Sequence, residues 1–283
     1  MTDQAERYDR IAEGYDRWWA PVLAPSALGL LDRVEATTGN GDGTSNGFGA
    51  LDVLDVGVGT GNLALPALER WAAVRLTGID VSGEMVRAVE GLADTRLRPA
   101  DRDRFTTRVT PAAELPFDDR TFDLAISSFV LQLVPNRAAA LREIRRVLRP
   151  GGRLAYVTWL RDTRPFAPDR IFDALLDEYG FENGPEDGRC GDVPSVATAA
   201  AELRRAGFRS ATSEGTHLEH AFEVDGYIAF LTEFDEASLF EEMTRSERRR
   251  FLATLRERLM ALPRDAMTFR VPIVYATGIR SDG

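Results

Sequence analysis

Lysine is missing from this chain of 283 residues: its 35 Lys-plus-Arg positions are all arginine. That excludes a Schiff-base lysine and the phosphate-gripping lysine of a P-loop. Cysteine is almost missing too. Cys190 stands alone in Gly188-Arg189-Cys190-Gly191-Asp192, which excludes a disulfide framework and a thiolate metal site, and no base is identifiable beside it to make it a nucleophile. The two histidines, His217 and His220, fall in a predicted strand. Residues three apart on a strand point to opposite faces, and further ligands are lacking, so no metal is expected there; they read as surface residues, with a general-base role as the alternative. No apolar run approaches the roughly eighteen residues of a membrane span, and the N-terminus mixes charges instead of running basic then apolar. A cytoplasmic protein without stable membrane association is expected. With 45 acidic side chains and a net charge of −10, the chain also lacks the basic face that a nucleic-acid substrate demands.

What the chain does have is Leu51-Asp52-Val53-Leu54-Asp55-Val56-Gly57-Val58-Gly59-Thr60-Gly61-Asn62. Leu51, Val53, Leu54 and Val56 suit a buried strand of a parallel sheet, and Leu63 through Trp71 suits the helix after it. Glycines at such a turn allow backbone shapes that a Cβ forbids and let a ligand approach the main chain. A dinucleotide fingerprint would place its third glycine at position 62, where this chain has Asn62. Asp55 would also face a pyrophosphate with uncompensated charge, whereas it favours a cation. A second strand, Arg75–Asp80, ends in another acid about twenty residues on, placed to accept from ribose hydroxyls. The ligand so described is a nucleoside with a ribose, no phosphates and a positively charged tail.

These segments resemble the class I S-adenosylmethionine-dependent methyltransferases, in the small-molecule branch that includes the ubiquinone and menaquinone biosynthesis enzymes. Leu54–Gly61 resembles the family's first motif, Gly78–Ser82 with Met85 its second, and Glu114–Phe117 followed by Phe122–Leu124 its third. Leu141–Gly152 is similar to the helix and turn before the fifth strand. The resemblance covers residues 51–160 strongly. It implies an α/β fold, a doubly wound Rossmann-like sheet of seven strands, mostly parallel with an antiparallel last strand, and a helical cap.

It also implies S-adenosyl-L-methionine as cofactor, with Asp55, Gly57, Gly59 and Gly61 cradling the methionine part and Asp80 taking the ribose. Val81 and Met85 would pack on adenine. The acid that the family often places before its third motif is replaced by Pro111, so the adenine amino group falls to backbone atoms of Ala112 and Ala113. Ser127 and Phe129 close the set at the end of the fourth strand, where Gln132 stands in the place of a frequent histidine. Tyr15 enters from the opening segment, Tyr8–Asp16, which resembles the family's cofactor-covering helix.

The expected organisation is an N-terminal helical lid over 1–36, a Gly/Asn/Ser-rich flexible linker over 37–50, and a methyltransferase domain over 51–283 with cap insertions at about 161–193 and 224–262. Helices are predicted over 4–20, 138–149, 171–179, 197–206, 225–233 and 244–261, with late strands at 208–222 and 267–276. Phe129, Trp159, Trp18, Trp19, Phe166, Phe230 and Phe234 lie in segments that can converge on the cofactor mouth, predicting a small apolar or aromatic acceptor. The methylated atom, oxygen, nitrogen or carbon, is left open. So are the catalytic residues and oligomeric state. The alternatives are an NAD(P)-dependent oxidoreductase and a catalytically silent S-adenosylmethionine-binding protein.

Overall fold

The computed structural model describes residues 3–38, 50–162, 164–181 and 191–281. Most of the expected linker lies outside the described residues, as does Cys190. Two helices come first, α1 (Asp3–Trp18) and α2 (Ala20–Thr38). An alternation of strands and helices follows: β1 (Leu51–Val56), α3 (Ala64–Arg70), β2 (Val74–Asp80), α4 (Gly83–Arg96), the short α5 (Pro99–Arg102), β3 (Phe105–Val109), β4 (Phe122–Ser128), α6 (Arg137–Val147) and β5 (Leu148–Trp159). The C-terminal part comprises α7 (Ala167–Tyr179), α8 (Val196–Arg205), β6 (Phe208–Ala221), α9 (Val224–Phe230), α10 (Ala237–Glu242), α11 (Arg245–Met260) and β7 (Thr268–Arg280).

The seven strands form one sheet in the order β3-β2-β1-β4-β5-β7-β6. β1 pairs in parallel with β2 and β4, as β2 does with β3 and β4 with β5, while β7 is antiparallel to both β5 and β6. This is the expected fold class. The order reverses between β1 and β4, and at such a switch point the loops diverge to opposite faces, leaving a crevice at the carboxyl ends of the strands. Val53, Leu54 and Val56 of β1 are wholly buried because both faces of the sheet are covered.

Apolar clusters occupy both faces of the sheet, with α2, α3 and α4 on one and α6 and α8 on the other. A third cluster belongs to the cap: Phe172, Leu175 and Leu176 of α7 meet Tyr227, Phe240, Phe251 and Leu255 from α9, α10 and α11. α2 is part of the main core, since Val22, Leu23, Leu30, Leu31 and Val34 are buried with sheet residues. The Tyr275 hydroxyl donates to the Ser26 carbonyl at 2.9 Å, tying α2 to β7.

Several boundaries differ from the sequence reading for local reasons. α6 stops at Val147, short of the predicted Arg149, because Pro150 disfavours helical geometry in the residue before it. β5 therefore starts at Leu148 and turns through Gly151 (φ +79°) and Gly152, where a Cβ would lie 2.8 Å from the Arg149 carbonyl. The sequence reading placed no strand at β3. Only Phe105 of its five residues is buried, so this edge strand carries no apolar alternation to read. The predicted 225–233 helix is α9 running into a π-helical turn over Leu231–Asp235, and α10 follows it.

Candidate active site

The crevice is built around the turn after β1. Gly57 and Val58 both donate N–H bonds to the Ile79 carbonyl at 2.8 Å, and the Gly61 N–H donates to Val58 O at 2.9 Å. All three glycines have positive φ, +78°, +51° and +96°, which side chains disfavour. A Cβ on Gly57 would lie 2.1 Å from Val130, and one on Gly61 2.8 Å from Leu65 and Val89. Around Gly59 nothing lies within 4 Å; this is where the backbone is open to a ligand.

Asp80, at the end of β2, accepts the Gly59 N–H on Oδ2 at 2.9 Å and the Ser82 N–H on Oδ1 at 3.0 Å. It therefore shapes the loop as well as facing the crevice. Burial pushes its carboxyl upward, offset by these backbone bonds. Asp55 is in a stranger position. It is 1% exposed, and neither carboxylate oxygen has a hydrogen-bond partner among the described residues. Burial, and next the nearby Asp80, hold it well above the usual carboxylate range; the Ala64 N–H, which faces it without hydrogen-bond geometry, compensates only in part. Buried charges of this kind call for an opposite charge.

A cavity of about 300 Å³ occupies the crevice. Of the residues predicted to hold a cofactor, Tyr15, Asp55, Gly57, Gly59 and Asp80 line it, together with Val81, Met85, Ala112, Ala113 and Phe129. Gly61 and Ser127 do not belong to that lining: Gly61 is packed against α3 and α4 behind the turn, and Ser127 is buried with its hydroxyl donating to Val56 O at 2.8 Å. Ser128 lines the cavity in place of Ser127. The alternation of a strand that emerges from the sheet decides between those two, and a one-residue error in strand phase inverts them.

Other wall residues carry no signal in the sequence reading. Thr60 is buried in the turn with its hydroxyl unpartnered among the described residues. Asn62, read only as a departure from a dinucleotide motif, donates from Nδ2 to Ala20 O at 2.8 Å and so fastens the turn to the junction of α1 and α2. Val130 and Leu133, after β4, also face the crevice. Only the phase of β4 and the fold of the turn behind it bring them there, and nothing in their spacing announces it.

α1 lies across the opening. The Asp9 carboxylate accepts from the Ser82 hydroxyl at 2.6 Å and from the Glu84 N–H at 3.1 Å, at the positive end of α4. These bonds, Ser82 first, hold Asp9 below the usual carboxylate range. Tyr8 and Tyr15 of α1, 6.2 Å apart in an edge-on arrangement, line the crevice.

They also line a second, larger cavity of about 720 Å³ that adjoins the first and shares Phe129 and Leu133 with it. Six of the seven aromatics predicted to converge are in its wall: Phe129, Trp159, Trp19, Phe166, Phe230 and Phe234. Trp18 is not; it packs on the cap core with the Arg17 guanidinium over its ring. Phe129 has positive φ, +55°, unusual for an aromatic residue. Gln132 braces that conformation, donating from Nε2 to Phe129 O at 2.6 Å and accepting the Thr158 hydroxyl on Oε1 at 2.5 Å. The Phe129 ring lies 4.3 Å from Trp159, centroid to centroid. His217 and His220 line neither cavity; His220 packs on Phe222, and burial lowers its basicity.

Comparison with known proteins agrees with this geometry. Residues 54–156 match the family described as "Methyltransferase domain". The ubiquinone/menaquinone biosynthesis C-methyltransferase UbiE of Geobacter sp. (strain M21) is 37% identical over 171 residues, 58% of this chain and 63% of that protein. The match thus spans less than two thirds of that relative. The YcgJ protein structure from Bacillus subtilis superposes with TM-score 0.57 at 18% identity, covering 90% of this chain and 99% of that one. A phosphoethanolamine N-methyltransferase 2 from Haemonchus contortus, solved with phosphomonomethylethanolamine and S-adenosylhomocysteine, gives TM-score 0.52 at 16% identity over 91% of this chain and 53% of its own. At those identities the structures speak for the fold alone. Turn, crevice and family match converge on one statement: residues 54–156 of this chain match a methyltransferase domain, and the chain resembles the ubiquinone and menaquinone biosynthesis methyltransferases.

Proposed function

We propose that the chain binds S-adenosylmethionine in the crevice and transfers its methyl group to a small, largely apolar or aromatic molecule held in the adjoining cavity. The observation that carries this reading is Asp55, a buried carboxylate with no partner among the described residues, beside a backbone open to a ligand. A ligand with a positively charged tail supplies the missing compensation; a pyrophosphate would aggravate it. In the same reading Asp80, already fixed by Gly59 and Ser82, offers its remaining lone pairs to ribose hydroxyls, and Val81 and Met85 pack on the base.

When bound, the cofactor supplies a sulfonium methyl that is already activated. The protein's task is then to align the acceptor and exclude water, effects that can contribute about 7–11 kcal/mol. Tyr8 and Tyr15 roof both cavities and Phe129 stands where they meet, so these rings set the line between cofactor and acceptor. We place the moving element in α1, held by Asp9 to the start of α4; it closes once both molecules are in place. A cavity of about 720 Å³ is within the size range of small-molecule sites, and the net charge of −10 disfavours a nucleic acid. Calorimetry with S-adenosylmethionine and S-adenosylhomocysteine tests the reading: binding of both is expected, and binding of neither refutes it.

A further inference from the structure

We infer that the molecule held in the larger cavity carries a basic amine, docked on the Asp169 carboxylate inside an aromatic enclosure. This rests on the proposed function and adds the chemical class of the acceptor.

Carboxylates outnumber guanidinium groups in the cavity wall. Five carboxylates border it, Asp162, Asp169, Asp192, Asp235 and Asp265, against three guanidinium groups. Of those three, Arg164 is paired with Asp162 at 3.1 Å, and Arg270 with Glu219 at 2.8 Å. Arg7 has interactions of its own, and so have the carboxylates Asp162, Asp192 and Asp235. Asp169 is different. Among the described residues its hydrogen bond comes from a neutral group, the Tyr227 hydroxyl, at 2.5 Å. Among the described residues no cation answers it, and in the first turn of α7 it is an exposed residue that borders the cavity. The Tyr227 ring itself is buried and cannot turn away, so the pair is fixed in orientation.

The surroundings match that charge. Phe166 packs on Tyr227 at 5.8 Å, edge-on, and Phe222 lies 5.5 Å from the same ring. Phe230 and Trp19 continue the wall, 5.7 Å apart. Aromatic faces attract cations, more strongly where water is excluded. A carboxylate projecting from such a wall repels anions, accepts a hydrogen bond from a neutral alcohol without any countercharge, and gives an ammonium a hydrogen bond and an ion pair together. The cavity is thus selective for an aromatic or apolar body with a protonated nitrogen. Burial raises the Asp169 carboxyl, and the Tyr227 bond offsets this only in part; an ammonium in place favours the ionised form.

The test uses the full chain saturated with S-adenosylhomocysteine. Uptake of that molecule is measured first, and its failure refutes the proposed function independently of the acceptor titrations. Amine and alcohol pairs of equal shape are then titrated: phenethylamine with phenethyl alcohol, tryptamine with tryptophol, and 2-naphthylethylamine with 2-naphthylethanol, with indole-3-acetate as the anionic arm. The amine of at least one pair is expected to bind about tenfold or more tightly than its alcohol, the worth of adding the ammonium charge to the hydrogen bond, with the carboxylate weakest. Asp169→Asn should abolish that preference, whereas Tyr227→Phe, which keeps the carboxylate, should retain it. Alcohols or the carboxylate binding as well as the amines, a preference that survives Asp169→Asn, or no panel member binding to the loaded protein would each overturn the inference.

Discussion

Asp55→Asn separates the two energetic roles of one side chain, because it should strengthen the empty protein while weakening its hold on the cofactor. In the empty protein the carboxylate is 1% exposed and neither oxygen has a partner among the described residues. Its carboxyl stands well above the ordinary range, chiefly through burial and then through Asp80. A group raised in the folded state contributes stability below its unfolded value, and that contribution is lost as pH rises through the folded value. Above the unfolded value the native state therefore either carries a strained charge or holds a proton that the unfolded chain releases, and both cost stability. An amide of the same shape removes the charge and leaves only a neutral polar group unsatisfied. The difference between leaving a charged and a neutral group unpaired is on the order of 1–3 kcal/mol. For a chain of this size, about 1 kcal/mol corresponds to a melting shift of about 2–4 °C, so a rise of several degrees is expected by calorimetry near pH 7. The rise should shrink as pH falls, since a carboxyl held well above the ordinary range takes up its proton before an ordinary one does. Binding moves the other way: losing a charge-based interaction of about 1.5–3 kcal/mol weakens S-adenosylmethionine by roughly ten- to a hundredfold. Wild-type affinity should also rise with pH as Asp55 ionises, and the variant's should be flatter. A melting temperature that falls, together with unchanged cofactor affinity, would refute the assignment of Asp55 as the cation's counter-charge.

Three further outcomes rest on named contacts. Asp80→Ala should weaken cofactor binding by roughly ten- to a hundredfold and also lower the melting temperature, because the Gly59 and Ser82 N–H groups lose their acceptor; Asp80→Asn, keeping one acceptor oxygen, should lie between, and identical calorimetric affinities in all three proteins would dismiss the placement. Asp9→Ala should detach α1 from α4 and reduce turnover more than cofactor affinity, measured by steady-state kinetics. Since Asp9 stands below its usual value, docking is complete above the ordinary carboxylate range and is lost only as pH falls through the lowered value; full activity in the variant would rule out a closing role for α1. Gly57→Ala should be severely destabilising, with φ at +78° and its Cβ 2.1 Å from Val130, whereas Gly91→Ala in the open middle of α4 should stabilise by about 0.5–1 kcal/mol; denaturant melts that fail to separate the two would contradict the geometry of the turn.

Much of this protein is decided by local patterns along the chain. The strand-to-glycine transition at Val56–Gly57, the acid at Asp80 and the apolar periodicity of α6 depend on neighbours within a few residues, so most of the crevice is legible in the order of the amino acids alone, while the seven-stranded class is what the family resemblance of these motifs implies. The positions that local pattern could not decide are those set by phase or by distant packing. Whether Ser127 or Ser128 faces the crevice depends on how β4 leaves the sheet, and β3 is a strand because β2 is beside it, with only Phe105 buried. Asn62 gains its role from the Ala20 carbonyl on another element. The absence of a partner for Asp55 among the described residues, the left-handed Phe129 held by Gln132, and the Asp169–Tyr227 pair between α7 and α9 exist only in three dimensions. Sequence periodicity reports which face of an element is apolar; which charges are left without partners is a sum over groups far apart in the chain, and only the folded structure performs it.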